Sequence, residues 1–77
     1  MKFSVLECVA LERDVPEYGL CKGDVGTVVE TYEPDGLDVE FVTASGDTQA
    51  VLTLTTRDVR RVGAGDMLAA RALTSDP

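Results

Sequence analysis

The stretch LCKGDVGTVVETY, residues 20–32, decides the fold of this chain. It begins with a polar turn at residues 22–24 and continues into β-branched and aromatic residues, which are the types that fit a pleated surface. Gly26 lies just inside this run, where a glycine usually marks a β-bulge or the close approach of another backbone. The stretch therefore predicts a strongly bent β-strand, and it carries almost no information about chemistry.

Four more strands are predicted around this one from short apolar or alternating runs. Leu37, Val39 and Phe41 alternate with two acidic residues and are expected to face the interior. The acidic residues between them, Asp38 and Glu40, are then expected to face solvent. The five predicted strands are residues 8–12, 24–33, 37–41, 48–55 and 59–62.

The segments between these strands carry turn signals. Residues 13–23 are predicted to form one long loop, in which Val15, Tyr18 and Leu20 pack back on the sheet. The tripeptide PDG at residues 34–36 predicts a turn, because proline fixes its own φ and is followed by residues that tolerate tight geometry. Two further turns are predicted at residues 43–47 and at residues 55–58, the latter helical or 3-10 and capped by a threonine hydroxyl.

Five short antiparallel strands in so small a chain predict an all-β fold, a small SH3-like barrel that is partly open. We expect this domain to cover residues 1–62, with residues 1–7 either fraying or leading into the first strand. Residues 63–77 are expected to form a flexible tail or a short helical C-terminal segment. The residues expected to be largely buried are Val9, Leu11, Val25, Val28, Val39, Phe41, Leu52, Leu54, Val59 and Val62.

The charge of the chain limits its partners. The sequence has 77 residues and a net charge of −7, with 14 acidic residues against 7 basic ones. Nucleic acid and anionic membranes are unsuitable partners for such a surface, because phosphate binding requires Lys and Arg. The N-terminus lacks the apolar core of a signal peptide, and no apolar run approaches the roughly 18 residues of a membrane span. We therefore expect a cytoplasmic protein whose oligomeric state the sequence leaves open.

Catalytic chemistry is disfavoured by the residues present. The sequence contains no histidine, so a histidine general base or a histidine metal ligand is excluded. Carboxylates that point outward from alternating strands usually form a solvated face. Cys8 and Cys21 have no histidine to activate them, and we expect them to be buried, reduced and free of metal. We predict that the protein is not an enzyme and holds no cofactor or metal.

An excess of carboxylates points instead to a protein partner. Residues 7–58 contain 12 acidic and 3 basic residues. Such a surface would attract a basic partner protein, and tyrosine is enriched at protein contacts. The alternatives are that the charge only keeps a small protein soluble, or that the apolar tail at residues 67–73 is the contact surface. The residues predicted to bind the partner are Asp14, Glu17, Tyr18, Asp38 and Glu40.

Several segments resemble a small bacterial family, domain of unknown function 4926. The most specific are DVPEYGL at residues 14–20 and KGDVGTVVE at residues 22–30, followed by weaker matches that extend to residue 60. The resemblance implies an SH3-like fold and an antitoxin or immunity-type role, and it carries over no catalytic residue. The barrel shape is also similar to that of small accessory subunits of photosynthetic complexes and of nitrile hydratase β-subunits. The alternative hypothesis is therefore a structural accessory subunit of a larger enzyme complex.

Overall fold

All five described strands belong to one antiparallel sheet. The structure, a computed structural model, describes residues 1–42 and 48–62, with only the backbone of residues 48 and 49. The sheet is bent but not closed, which confirms the prediction of an all-β, partly open small barrel. The predicted turn at 43–47 and the predicted tail at 63–77 lie outside the described residues. The strands are β1 (Cys8–Leu11), β2 (Val25–Tyr32), β3 (Gly36–Val42), β4 (Thr48–Thr55) and β5 (Val59–Arg61). Their order in the sheet is β4-β3-β2-β1-β5.

The alternation of inward-facing and outward-facing side chains in β2 shifts at a β-bulge near the middle of the strand. Val28 pairs with Val39, whereas Glu30 pairs with Asp38, the residue immediately before Val39 on β3. Val29 is therefore the extra residue. The first half of β2 also pairs with β1, and its second half pairs with β3 alone. The bulge therefore lies where the strand passes from one part of the sheet to the other.

Gly26 is required by close packing of side chains. A Cβ atom at this position would lie 2.7 Å from Cε1 of Phe41 and 2.7 Å from Cγ1 of Val39. The predicted close approach is present, but the approaching groups are core side chains instead of another backbone, and the bulge lies three residues later. Without a side chain at Gly26, the Phe41 ring packs directly against the backbone of β2.

The core contains the predicted residues with two exceptions. Val25 and Val62 are only half-buried. Val25 precedes the inward-facing Gly26 and therefore lies on the opposite face of the strand, and Val62 follows the last residue of β5. The buried apolar cluster consists of Phe3, Val9, Leu11, Val15, Leu20, Val28, Leu37, Val39, Phe41, Ala50, Leu52, Leu54 and Val59.

The N-terminal segment leads into β1 and contributes a core residue that the sequence pattern did not predict. The Phe3 side chain is 2% exposed. The guanidinium of Arg61 lies 5.3 Å from the centre of the Phe3 ring and donates to the Lys2 carbonyl at 2.6 Å. The backbone N–H of Leu6 donates to the carbonyl of Val28 at 2.6 Å. These contacts tie residues 1–7 to the sheet, so the fraying alternative is wrong for this segment.

The long loop between β1 and β2 is held by its own hydrogen bonds. Val15 and Leu20 are buried as predicted and are bridged by backbone hydrogen bonds of 2.8 and 3.1 Å. Between them lies a short 3-10 helix, Pro16–Tyr18. The prediction that Tyr18 packs inward is wrong: its side chain is 49% exposed, because the helix turns this residue away from the core. At the end of the loop, the buried Asp24 carboxylate accepts the N–H of Cys21 at 2.9 Å.

A tight turn connects β4 to β5. The N–H of Asp58 donates to the carbonyl of Thr55 at 2.9 Å, and the N–H of Arg57 donates to the Thr55 hydroxyl at 3.3 Å. The Asp58 carboxylate in turn accepts the N–H of Thr55 at 2.9 Å. The predicted turn and its threonine cap are both present, with Asp58 as an additional cap.

Candidate interaction surface

Charge is divided unequally across the sheet. Strands β2, β3 and β4 contain three acidic residues, Glu30, Asp38 and Glu40, and neither lysine nor arginine. Strand β5, at the opposite edge, contains Arg60 and Arg61. Because of the strand order, the acidic strand residues lie toward one edge of the sheet and the two strand arginines lie at the other.

The basic residues near β1 and β5 are paired with acidic neighbours. Arg61 lies 3.5 Å from Glu7, and Arg60 lies 3.8 Å from the carboxylate of Glu12. Arg13 and Asp58 form a closer pair, with Nε and Oδ1 3.0 Å apart. The carboxylates on this side of the sheet are therefore partly neutralised.

The Asp58 pair has a further electrostatic consequence. Burial acts to raise the pKa of Asp58, but the hydrogen bonds from Thr55 and Arg13 outweigh it, so the pKa lies below its ordinary value. This carboxylate stays ionised and joins the β4–β5 turn to the start of the long loop.

The outward sides of β2, β3 and β4 form one continuous surface. Glu30 pairs with Asp38 across β2 and β3, and Thr53 pairs with Asp38 across β3 and β4. Cross-strand partners point to the same side of a sheet, as do residues two apart along one strand. We call this surface the acidic face and define it by Glu30, Tyr32, Asp38, Glu40, Val51 and Thr53.

Asp38 is the ordered centre of the acidic face. Its carboxylate accepts a hydrogen bond of 2.6 Å from the Thr53 hydroxyl and one of 2.7 Å from the Tyr32 hydroxyl. These two bonds, that of Thr53 first, hold the pKa of Asp38 below its ordinary value. The same bond to Asp38, with smaller contributions from burial and from the charges of Asp38 and Glu30, raises the pKa of Tyr32. At neutral pH the carboxylate is therefore charged and held in one orientation.

The acidic face also presents apolar area. The Val51 side chain is 53% exposed and that of Tyr32 is 49% exposed. Val51 lies opposite Glu40 in the β3–β4 ladder, and Tyr32 is bonded to Asp38. Fixed carboxylates next to exposed apolar groups are the combination found in protein interfaces, which mix apolar area with hydrogen bonds.

The five residues predicted to bind a partner belong to two elements. Asp38 and Glu40 lie two residues apart on β3, within the acidic face. Glu17 and Tyr18 are exposed on the 3-10 helix of the long loop. Asp14 precedes that helix, and its carboxylate accepts the N–H of Lys22 at 2.8 Å, which joins the two ends of the loop. Asp14 therefore has a structural role that the sequence did not indicate.

Four residues of the acidic face were not among the predicted binding residues. The alternation of β4 does place Val51 and Thr53 outward, so that signal was available in the sequence. The positions of Glu30 and Tyr32 beside Asp38 could not be predicted from the sequence, because the pairing of Glu30 with Asp38 depends on the bulge at Val29. Tyr32 would otherwise be considered only as an isolated aromatic residue.

Both cysteines differ from their prediction. Cys8 and Cys21 both have exposed side chains, so the prediction that they are buried is wrong. Cys8 is the first residue of β1 and its one exposed residue. Cys21 lies just before the turn that leads into β2. Within residues 1–42 and 48–62, no group of three or more Cys, Asp or Glu side chains is arranged to hold a metal ion. The same part of the chain contains no helix long and apolar enough to cross a membrane.

A comparison with known protein families identifies the domain that contains the acidic face. A family model described as domain of unknown function (DUF4926) matches residues 5–61. The chain belongs to the DUF4926 family. The match runs from the turn before β1 to the last residue of β5, so the acidic face lies entirely within the DUF4926 domain. No curated protein and no solved structure matches the chain.

Proposed function

We propose that this DUF4926 domain is a non-enzymatic interaction module whose acidic face binds a basic surface of a partner protein. The observation that carries the proposal is the charge division of the sheet. Strands β2 and β3 have only acidic charges and β4 has no charged residue, whereas the two arginines at the opposite edge have carboxylate partners of their own. An outward field of one sign speeds the encounter with a partner of the opposite sign.

The order around Asp38 favours binding over a purely solubilising role. A carboxylate that only keeps a protein soluble gains nothing from two hydroxyl donors that fix its orientation. Those donors keep Asp38 ionised and pre-organised, which lowers the entropic cost of meeting a lysine or arginine. The exposed Val51 and Tyr32 side chains beside it supply apolar contact area. Glu17 and Tyr18, on the long loop, are proposed as a second contact with the same partner.

The role we propose is that of a cytoplasmic antitoxin or immunity-type inhibitor, which covers a basic surface of its target. The alternative is a structural accessory subunit of a larger enzyme complex. The two differ in what the partner does when it is released. An inhibited target gains activity without the domain, whereas an enzyme that requires an accessory subunit loses it.

A charge-matched pair of variants tests the proposed surface. The double variant Asp38→Asn/Glu40→Lys changes the acidic face, and Asp35→Asn/Glu33→Lys makes the same charge change in the β2–β3 turn. The partner is first captured with the wild-type chain and identified, and its association rate is then measured at low and high salt. We expect the face variant to lower the low-salt association rate about tenfold or more, and the turn variant to have much less effect.

The salt dependence completes this test. For the wild-type chain the association rate should fall as ionic strength rises, because salt screens exposed charges. Equal association rates for the two double variants, together with no salt dependence, would reject the acidic face as the binding surface. In that case the charge serves solubility alone.

A further inference from the structure

Strand β4 forms an edge of the described sheet with little of the usual protection. Its sequence, TQAVLTLT, has no charged residue and no proline over its full length. Exposed edge strands normally carry lysine, proline or a bulge, which prevent another strand from pairing with them. A bulge at residue 49 interrupts the start of β4, where Ala50 pairs with Phe41 but Thr48 pairs with Val42. Residues 50–55 then pair with β3 without interruption, so this part of the edge has none of these devices and is suited to accept a further strand.

The alternation of hydrogen-bonded and non-hydrogen-bonded pairs in the β3–β4 ladder determines which backbone groups of β4 face the open edge. The N–H of Thr56 donates to the carbonyl of Asp35 at 3.0 Å, so the adjacent pair, Gly36 and Thr55, is a non-hydrogen-bonded pair. Pairs alternate along an antiparallel ladder. The pairs of Asp38 with Thr53 and of Glu40 with Val51 are therefore of the same kind, and on β4 their N–H and C=O groups point away from β3.

Thr55 shows that this assignment is correct. Its N–H donates to the Asp58 carboxylate and its carbonyl accepts the N–H of Asp58, both on the side away from β3. Val51 and Thr53 precede it on the same side of the strand. Their N–H and C=O groups therefore face the open edge, and their side chains belong to the acidic face.

We propose that an extended segment of the basic partner pairs antiparallel with β4, with lysine or arginine at alternate positions on the side of the acidic face. This inference rests on the proposed function and specifies how the partner binds. In such a pairing the partner residues that exchange hydrogen bonds with Val51 and Thr53 lie directly opposite them and point to the same side. The residues that bind through the backbone are thus the residues whose side chains reach the acidic face.

The charge of the neighbouring strand selects a basic segment. An added strand would lie about 5 Å from β4 and about 10 Å from β3, a distance that long side chains can cross. Thr53 is short, and its hydroxyl already points to Asp38, so a lysine or arginine passing over it meets that carboxylate. A second copy of this chain would instead place the neutral residues of its own β4 there and bring no positive charge.

Backbone-methylated peptides test the pairing on the unaltered, full-length chain. The probe is a peptide of about ten alternating lysine and threonine residues, compared with two isomers that are N-methylated at every lysine or at every threonine. All three have the same charge. We expect methylation of the lysines to weaken binding about tenfold or more, because their N–H groups face β4, and methylation of the threonines to weaken it less than about threefold.

A pair of variants at one position provides the complementary test. Val51→Pro removes an N–H that faces the open edge, whereas Val51→Ala shortens the same side chain and keeps the N–H. After circular dichroism has shown that each variant is folded, we expect Val51→Pro to weaken peptide binding about tenfold or more. Val51→Ala, which loses apolar contact area but keeps the N–H, should weaken it less than about threefold. Equal effects of the two variants would overturn the pairing.

The outcomes separate this inference from the proposed function. Salt-dependent binding that is equal for the two methylated isomers would overturn strand pairing and retain the acidic face. Failure of the unmethylated peptide to bind at low salt would overturn both. A dimer of the free chain in sedimentation experiments that Val51→Pro abolishes, without peptide binding, would assign the edge to a second copy and overturn the proposal.

Discussion

Substitution of Gly26 by alanine should destabilise the domain through steric crowding alone. The new Cβ would lie 2.7 Å from both Phe41 Cε1 and Val39 Cγ1, closer than carbon atoms pack in proteins. Both neighbours are fully buried, so neither can move without disturbing the core. Overpacking of this kind costs about 1–3 kcal/mol. For a domain of this size that corresponds to a fall in Tm of about 5–20 °C.

Two comparisons isolate the cause. Gly23→Ala adds a methyl group where no atom lies within 4 Å, but at φ +95°, so its cost is backbone strain instead of crowding. Phe41→Leu removes the ring edge that approaches Gly26, so it should relieve part of the cost of Gly26→Ala. We expect a favourable coupling of about 0.5–3 kcal/mol in the double-mutant cycle of Gly26→Ala and Phe41→Leu. The corresponding cycle of Gly23→Ala and Phe41→Leu should show no coupling.

Chemical denaturation of the four proteins of the cycle provides the free energies of unfolding. A Gly26→Ala variant as stable as the wild type would refute the packing of Phe41 against β2. A destabilised variant with additive effects in the cycle would place the crowding elsewhere.

The remaining predictions concern the core, one carboxylate and the thiols. Phe41→Ala should cost about 3–5 kcal/mol and leave most of the chain unfolded, which circular dichroism and thermal melting would detect. Thr53→Val removes a hydrogen-bond donor to Asp38, so the pKa of Asp38 in an NMR titration should rise toward its ordinary value. An unchanged pKa would contradict the hydrogen bond between Thr53 and Asp38. Because the folded-state pKa of Asp38 is lowered, its contribution to stability is present above the unfolded value of about 3.9 and is lost as pH falls through the folded pKa. Wild type should therefore lose more stability in acid than Asp38→Asn. Cys8 and Cys21 should be reduced and should both react with iodoacetamide in the folded chain; a mass two protons lower without reductant would show a disulfide instead.

The fold was predictable because its signals are local. The alternation of residues 37–41 and the turn residues around them are sufficient to place β3 and its inward side chains. Phe3 was not predictable in this way. Its burial depends on Arg61, 58 positions away in the chain, which covers the ring from β5.

The acidic face was predictable only in part, because register is a long-range property. Asp38 and Glu40 follow from alternation within one strand. Their neighbours depend on the extra residue Val29, which shifts every later residue of β2 by one position and brings Glu30 and Tyr32 to the same face as Asp38. The prediction that Tyr18 packs inward was wrong for a different reason. A 3-10 helix of three residues determines the direction of its side chain, and no periodicity is visible over so short a segment.

Chemical-shift mapping tests most directly whether the acidic face is the binding surface. The isotope-labelled chain is titrated at low salt with the unmethylated lysine–threonine peptide, and amide shifts are followed residue by residue. We expect the largest shifts at Asp38, Glu40, Val51 and Thr53, with loss of these shifts at high salt. Shifts confined to the long loop around Glu17 and Tyr18, or spread evenly over all carboxylates, would show that the acidic face is not the binding surface.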